Sequence, residues 1–254
     1  MDILIITTPH DQDQFVRLLG DGSQWGISLS YAVQPSPDGL AQAFLIGADH
    51  LGDDDAALVL GDNIFFGHGL PDQVADAVAA IGADGGCALF GYRVADPERY
   101  GVAVIDGNGR LLDIEEKPAR PRSNFAVTGL YLYDNQVVEI ARSLQPSERG
   151  ELEITDLNMV YVQQNRARLV DLGRGTAWLD TGTQDSMLEA GQFVQVLQQR
   201  QGITIACLEE IAMRSGYITA ERALELAAEM GKSSYGAYLH RAATEFIAAP
   251  GQWQ

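Results

Sequence analysis

Lysine and histidine are scarce in these 254 residues, cysteine occurs only twice, and long apolar runs are missing. No stretch approaches the roughly 18 apolar residues of a membrane span, and no basic region precedes an apolar one at the N-terminus. The chain therefore reads as soluble, without a signal peptide. Cys87 and Cys207 lie far apart, and Cys87 falls within the apolar run Cys87-Ala88-Leu89-Phe90. Two buried free thiols are expected rather than a disulfide, which implies the reducing cytoplasm. His10, His50, His68 and His240 have no metal-ligand spacing, which argues against a zinc site. Basic residues number 17 against 35 acidic ones, for a formal net charge of −18. Such a chain repels a nucleic-acid duplex or an anionic membrane, and neither is expected as a main partner. Its lysines are Lys117 and Lys232, so any anionic substrate would make each of them worth inspecting.

Apolar residues make up 46% of the chain, enough for one substantial core. Strand-like runs at 2–8, 29–34, 56–60 and 86–94 alternate with helical spacing over 11–19, 40–50 and 70–81. Continuous Val/Ile/Leu strands between helices predict an α/β fold with a mostly parallel sheet covered on both faces. After Tyr100 the pattern changes. Runs at 102–106 and 110–114 flank Gly107-Asn108-Gly109, an inserted hairpin. A strand at 127–133, helices at 135–144 and 154–164, a strand at 167–172 and a long helix at 185–200 follow. The segment 209–248 is helical in character, with a tyrosine-rich break at 234–238. The expected organisation is one α/β domain over 1–202 and a helical C-terminal extension over 203–254 packed on it. No repeat or low-complexity linker occurs.

Open parallel sheets bind ligands at the C-terminal ends of their strands. Three such ends carry chemistry: Gly61-Asp62-Asn63, Glu115-Glu116-Lys117-Pro118, and Trp178-Leu179-Asp180-Thr181-Gly182-Thr183. Taken singly, Asp62 and Asp180 read equally well as turn or helix-capping carboxylates, and Lys117 as a solvated surface lysine. Together, two carboxylates on different loops and a lysine at a strand end can form a magnesium and phosphate site.

The order of motifs adds a resemblance. Gln34-Pro35-Ser36-Pro37-Asp38-Gly39-Leu40-Ala41-Gln42-Ala43 precedes Leu60-Gly61-Asp62-Asn63-Ile64-Phe65 and Asp96-Pro97-Glu98-Arg99-Tyr100-Gly101. Glu115-Glu116-Lys117-Pro118, Val127-Thr128-Gly129-Leu130-Tyr131, Gly150-Glu151-Leu152-Glu153-Ile154-Thr155-Asp156 and the Trp178–Thr183 segment complete the series. The series resembles the glucose-1-phosphate thymidylyltransferases of deoxysugar biosynthesis, over almost the whole chain and through Cys207-Leu208-Glu209-Glu210-Ile211-Ala212.

The resemblance implies a Rossmann-like nucleotidyltransferase sheet and a cytoplasmic, magnesium-dependent transfer from dTTP to glucose 1-phosphate. The products would be dTDP-glucose, used in dTDP-rhamnose biosynthesis, and pyrophosphate. It implies that Asp62 and Asp180 hold Mg2+ and that Lys117 contacts the sugar phosphate. Gln34 and the backbone near Gly39 would bond the thymine edge. Asn63, Tyr100, Gly101, Glu116 and Val127 would surround the sugar. For Tyr100 and Val127 core packing is the competing account, and for Glu151, Glu153 and Asp156 a helix-start role serves equally well. A homo-oligomer, a tetramer in the family, is also implied.

The family's first strand, its G-G-x-G-T-R loop and a following Lys-Pro segment do not occur in this sequence, in which Met1 directly precedes the strand at 2–8. That loop would supply backbone N–H groups and cations to the triphosphate, so the expectation for the chain as written is little or no transferase activity. The rival readings are a catalytically dead sugar-nucleotide-binding or regulatory homologue, and a nucleotidyltransferase for another nucleotide or sugar phosphate.

Overall fold

The computed structural model describes residues 1–249, and the chain divides into two compact units. One comprises Met1–Val33 with the described residues from Gly191 onward, and the other Gln34–Ala190.

Within Met1–Val33, β1 (Asp2–Thr7) pairs in parallel with β2 (Ser28–Val33), and α1 (Gln12–Leu19) connects them. The second unit opens with α2 (Gln42–Ile46) and α3 (Ala48–Leu51), two short helices broken at Gly47 where the sequence predicts one. It continues through β3 (Ala56–Val59), β4 (Asn63–Phe66), α4 (Leu70–Asp84) and β5 (Cys87–Arg93). The hairpin follows as β6 (Gly101–Ile105) and β7 (Leu111–Glu116), then β8 (Phe125–Tyr133) and α5 (Val137–Ser143). After α6 (Ile154–Gln163) come β9 (Ala167–Asp171) and β10 (Ala177–Asp180). The division between the units falls inside α7 (Gln184–Gln201), beyond which lie α8 (Leu208–Arg214), α9 (Ala220–Glu229) and α10 (Ser234–Ala248).

The α/β class holds, but the main sheet is mixed rather than mostly parallel. Its path is β7-β6-β8-β5-β9, with β3 also on β8. Only β5 and β9 run parallel in it; β8 is antiparallel to β3, β5 and β6. The cause is the inserted hairpin, after which the chain returns as β8 through the sheet's interior. Eight of the nine β8 residues are buried. An apolar run reports burial on both faces of a strand and carries no information on its neighbours' direction. Tyr133, Phe90, Leu89, Leu157 and Tyr161 are fully buried in this unit, each contributing about 1.5–3 kcal/mol of apolar transfer.

The tyrosine-rich stretch at 234–238 is not a break. It is the first turn of α10, where the Ser233 side chain accepts from Gly236 N and Tyr238 packs inward. The interruption comes just earlier, between α9 and α10. Cys87 and Cys207 are both buried free thiols. Among the described residues no helix is long and apolar enough to cross a membrane.

Candidate active site

β4 and β10 bring the two candidate carboxylates together. They pair antiparallel with Asp180 opposite Asn63, so Asp62, on the turn before β4, comes beside the end of β10. Thr181 fastens the junction, donating from its backbone N (2.8 Å) and Oγ1 (3.0 Å) to Asp62 O. The two carboxylates face one space. A side chain added at Gly182 would stand 3.1 Å from Asp180 Oδ1 and 3.8 Å from Asp62 Oδ2.

The Asp180 oxygens have separate partners. Oδ1 accepts from Gly182 N at 2.7 Å and faintly from Ser186 Oγ at 3.4 Å. Oδ2 accepts from Tyr100 Oη at 2.7 Å and Arg99 Nη2 at 3.2 Å. Burial pushes the Asp180 carboxyl up, but the Gly182 N–H, the Tyr100 hydroxyl and Arg99 outweigh it, leaving the group below the ordinary carboxylate value. Burial and the adjacent Asp180 hold the Tyr100 phenol well above its usual value, so it acts as a donor. Its ring meets Trp178 edge-on at 5.0 Å.

Asp62, Asn63, Tyr100, Gly101, Glu116, Lys117, Val127 and Asp180 all line one cavity of about 470 Å³, within the usual range for small-molecule sites. Glu116 ends β7; its Oε2 accepts from Thr155 Oγ1 at 2.6 Å, while Oε1 lies 4.0 Å from Lys117 Nζ and 3.9 Å from Arg149. The Lys117 side chain is 56% exposed and its backbone is left-handed, with φ 42°. Asn63 is committed to the frame: Oδ1 accepts from Gly129 N (2.9 Å) and Trp178 Nε1 (2.6 Å), and Nδ2 donates to Asp62 Oδ1 (2.7 Å). A Cβ at Gly129 would sit 2.7 Å from that amide, which is why glycine stands there. A Cβ at Gly101 would meet Glu116 Oε2, Thr155 Oγ1 and Ile114 at 3.5–3.8 Å, so the open strand face at Gly101 is cavity.

Gln34 and Gly39 are not on the cavity wall. They stand on the loop whose Leu40 does line it, joined by a Gln34 Nε2 to Gly39 O bond of 3.1 Å. Glu153 precedes α6 and takes Arg149 at 2.9 Å, with Glu151 3.9 Å from the same guanidinium, and Asp156 lies in the first turn. Arg99, Thr155, Asn158, Tyr131 and Trp178 also line the cavity and were not assigned from sequence. Arg99, Thr155, Tyr131 and Trp178 stand inside the motifs quoted above, beside assigned residues; Asn158 follows Thr155 by three positions on α6, the spacing that shares a helix face.

The donors suit a hard divalent cation. Asp62 Oδ2 and Asp180 Oδ1 converge, and Tyr100 and Arg99 fix the second Asp180 oxygen as outer partners of a ligand do. Two carboxylates leave most of the coordination to substrate oxygens and water, which magnesium favours.

The nucleotidyl transferase family model matches residues 1–196. A glucose-1-phosphate thymidylyltransferase of Xanthomonas campestris pv. campestris is 57% identical over 238 residues, covering 94% of this chain and 80% of its own length. One of Neisseria meningitidis is 55% identical over 240 residues, covering 94% and 82%. Among solved structures, a Bacillus anthracis protein assigned as a glucose-1-phosphate thymidylyltransferase, in complex with sucrose, superposes with TM-score 0.67 at 38% identity over 75% of each chain.

Proposed function

The chain belongs to the nucleotidyl transferase family and groups within it with the glucose-1-phosphate thymidylyltransferases, and from that premise we propose how its cavity carries the reaction. The reaction makes dTDP-glucose from dTTP and glucose 1-phosphate. A phosphate oxygen of glucose 1-phosphate attacks the α-phosphorus of dTTP. A new P–O bond forms, the bond from the α-phosphorus to the bridging oxygen breaks, and pyrophosphate leaves with that electron pair. The attacking oxygen is already anionic near neutral pH, so no general base is required. What remains is alignment and neutralisation of phosphate charge.

In this reading Lys117 sets its ammonium against the sugar phosphate, and its exposure leaves it free to reach. Glu116 accepts from sugar hydroxyls while Thr155 holds its other oxygen. Gly101 leaves room for the ring; Val127 and Tyr100 shape the wall; Asn63 keeps Asp62 and Trp178 in place. Gln34 and the Gly39 backbone read the edge of the base. Asp62 and Asp180 hold magnesium, which when bound neutralises phosphate charge. The observation that carries this reading is the convergence of Asp62 and Asp180 on one space in a cavity that Lys117 also lines.

Pyrophosphate release from dTTP, glucose 1-phosphate and magnesium tests it. Asp62→Asn and Asp180→Asn are each expected to lower whatever kcat the unsubstituted chain retains about 100-fold or more, the scale of a lost charge-stabilising group, and, where that rate is too small to follow, to weaken magnesium binding read by calorimetry. Wild-type rates in both variants would place the chemistry elsewhere.

A further inference from the structure

The loop from Gln34 to Gln42 carries a run of hydrogen bonds whose sense is set at one end. Asp38 Oδ2 accepts from Ser36 Oγ at 2.5 Å and from Gln42 Nε2 at 3.0 Å. A carboxylate only accepts, so Gln42 turns its amino group to Asp38 and its carbonyl away. That carbonyl accepts from Gln34 Nε2 at 2.7 Å, and Gln34 Nε2 also donates to Gly39 O at 3.1 Å. Both N–H bonds of the Gln34 amide are thereby used, and its Oε1 is the atom left to meet a ligand.

The loop holds this arrangement firmly. Leu152 N donates to Asp38 O at 2.7 Å and Ala41 N to Leu152 O at 3.1 Å. Gly39, at φ 102°, lies so close to this segment that a Cβ would stand 2.3 Å from Leu152 O.

We propose that Asp38 and Gln42 are positioning residues for base selectivity, holding Gln34 as an obligate acceptor; this rests on the reading of Gln34 as the base contact. Thymine and uracil present a ring N3–H donor to such an acceptor. Cytosine presents an unprotonated N3 at the same place, and adenine an unprotonated N1, so lone pair meets lone pair. Guanine, with its N1–H, satisfies the acceptor. The relay thus sorts bases by whether the ring nitrogen carries a proton, not by size.

Dissociation constants for dTTP and 5-methyl-dCTP, a pair that share the C5 methyl and are matched in size, test the relay in the magnesium-loaded protein. The wild type is expected to prefer dTTP. Asp38→Asn is isosteric but lets Gln42 bond either way round, and the preference is expected to fall about tenfold, the effect of one neutral hydrogen bond. Gln42→Met removes the acceptor and should act alike. Adding Gln42→Glu to Asp38→Asn restores the sense. The amide introduced at position 38 then donates to the carboxylate introduced at position 42, which also accepts from Gln34, and the preference should return. A wild type that prefers dTTP, with that preference intact in both single variants or unrestored in the double variant, overturns the relay. A wild type that binds dTTP and 5-methyl-dCTP equally overturns the base contact itself.

Discussion

Lys117 adopts a left-handed backbone at a cavity wall, where a residue with a Cβ costs about 1–2 kcal/mol relative to glycine. Outliers of this kind gather at ligand sites because the surrounding structure over-determines them. Lys117 N donates to Tyr100 O at 3.1 Å, which pins the residue and aims its side chain from the end of β7. Lys117→Gly separates the two roles. Relief of the backbone should leave stability unchanged or raise it by up to about 1 kcal/mol, read by thermal unfolding. Loss of the ammonium should raise KM for glucose 1-phosphate at least about tenfold, an ion pair to phosphate being worth more than a neutral bond. A stable variant with unaltered KM would remove Lys117 from the phosphate site.

Elements meet through the Asp180 carboxylate: the 3-10 turn Pro97–Arg99 and Tyr100 on one side, the end of β10 on the other. Because the folded value of Asp180 is depressed, its bonds contribute stability that is present above the unfolded carboxylate value, about 3.9, and lost as pH falls through the lower folded value. Tyr100→Phe keeps the ring packing on Trp178 and deletes the donor. It should cost about 1.5–3 kcal/mol near neutral pH, as for a hydrogen bond to a charged group. The deficit should shrink below about pH 4 as the carboxylate protonates. Urea unfolding at a series of pH values checks this; a deficit independent of pH would assign the effect to packing. Element-level legibility was uneven for a physical reason. β5 and β8 are long, apolar and continuous, and could be read directly. β4 and β10, four residues each, have too few side chains to establish a period, and they are the pair that brings Asp62 to Asp180.

For the molecule as a whole, the unit containing Met1–Val33 depends on buried carboxylates in α8. Glu209 Oε1 accepts from Trp25 Nε1 at 3.0 Å and Oε2 from Tyr235 Oη at 2.6 Å, tying a turn near the start of the chain to helices near its end. Glu210 takes Tyr238 and Arg214 in the same way. Glu209→Ala leaves the buried Trp25 N–H and the half-buried Tyr235 hydroxyl unmet and should destabilise this unit by about 2 kcal/mol or more; Glu209→Gln, which retains an acceptor, should cost less. No loss in either variant by urea unfolding would mean that the apolar contacts around Cys207 and Leu239 suffice, and equal losses would assign the effect to the carboxylate's charge rather than to its acceptor oxygens. Sequence spacing gave no hint of this, because Glu209 and Glu210 look like exposed helix-start acids.

The α/β class, most element positions and the motif neighbourhoods of the candidate site were legible in the order of amino acids alone, because periodicity and glycine punctuation are local properties that need no partner to be read. Strand direction within the main sheet, the helical start of α10 and the meeting of residues 62 and 180 were settled only in three dimensions. Each depends on which segment packs against which: Tyr100 and Arg99 take one oxygen of Asp180, while the other faces the space it shares with Asp62.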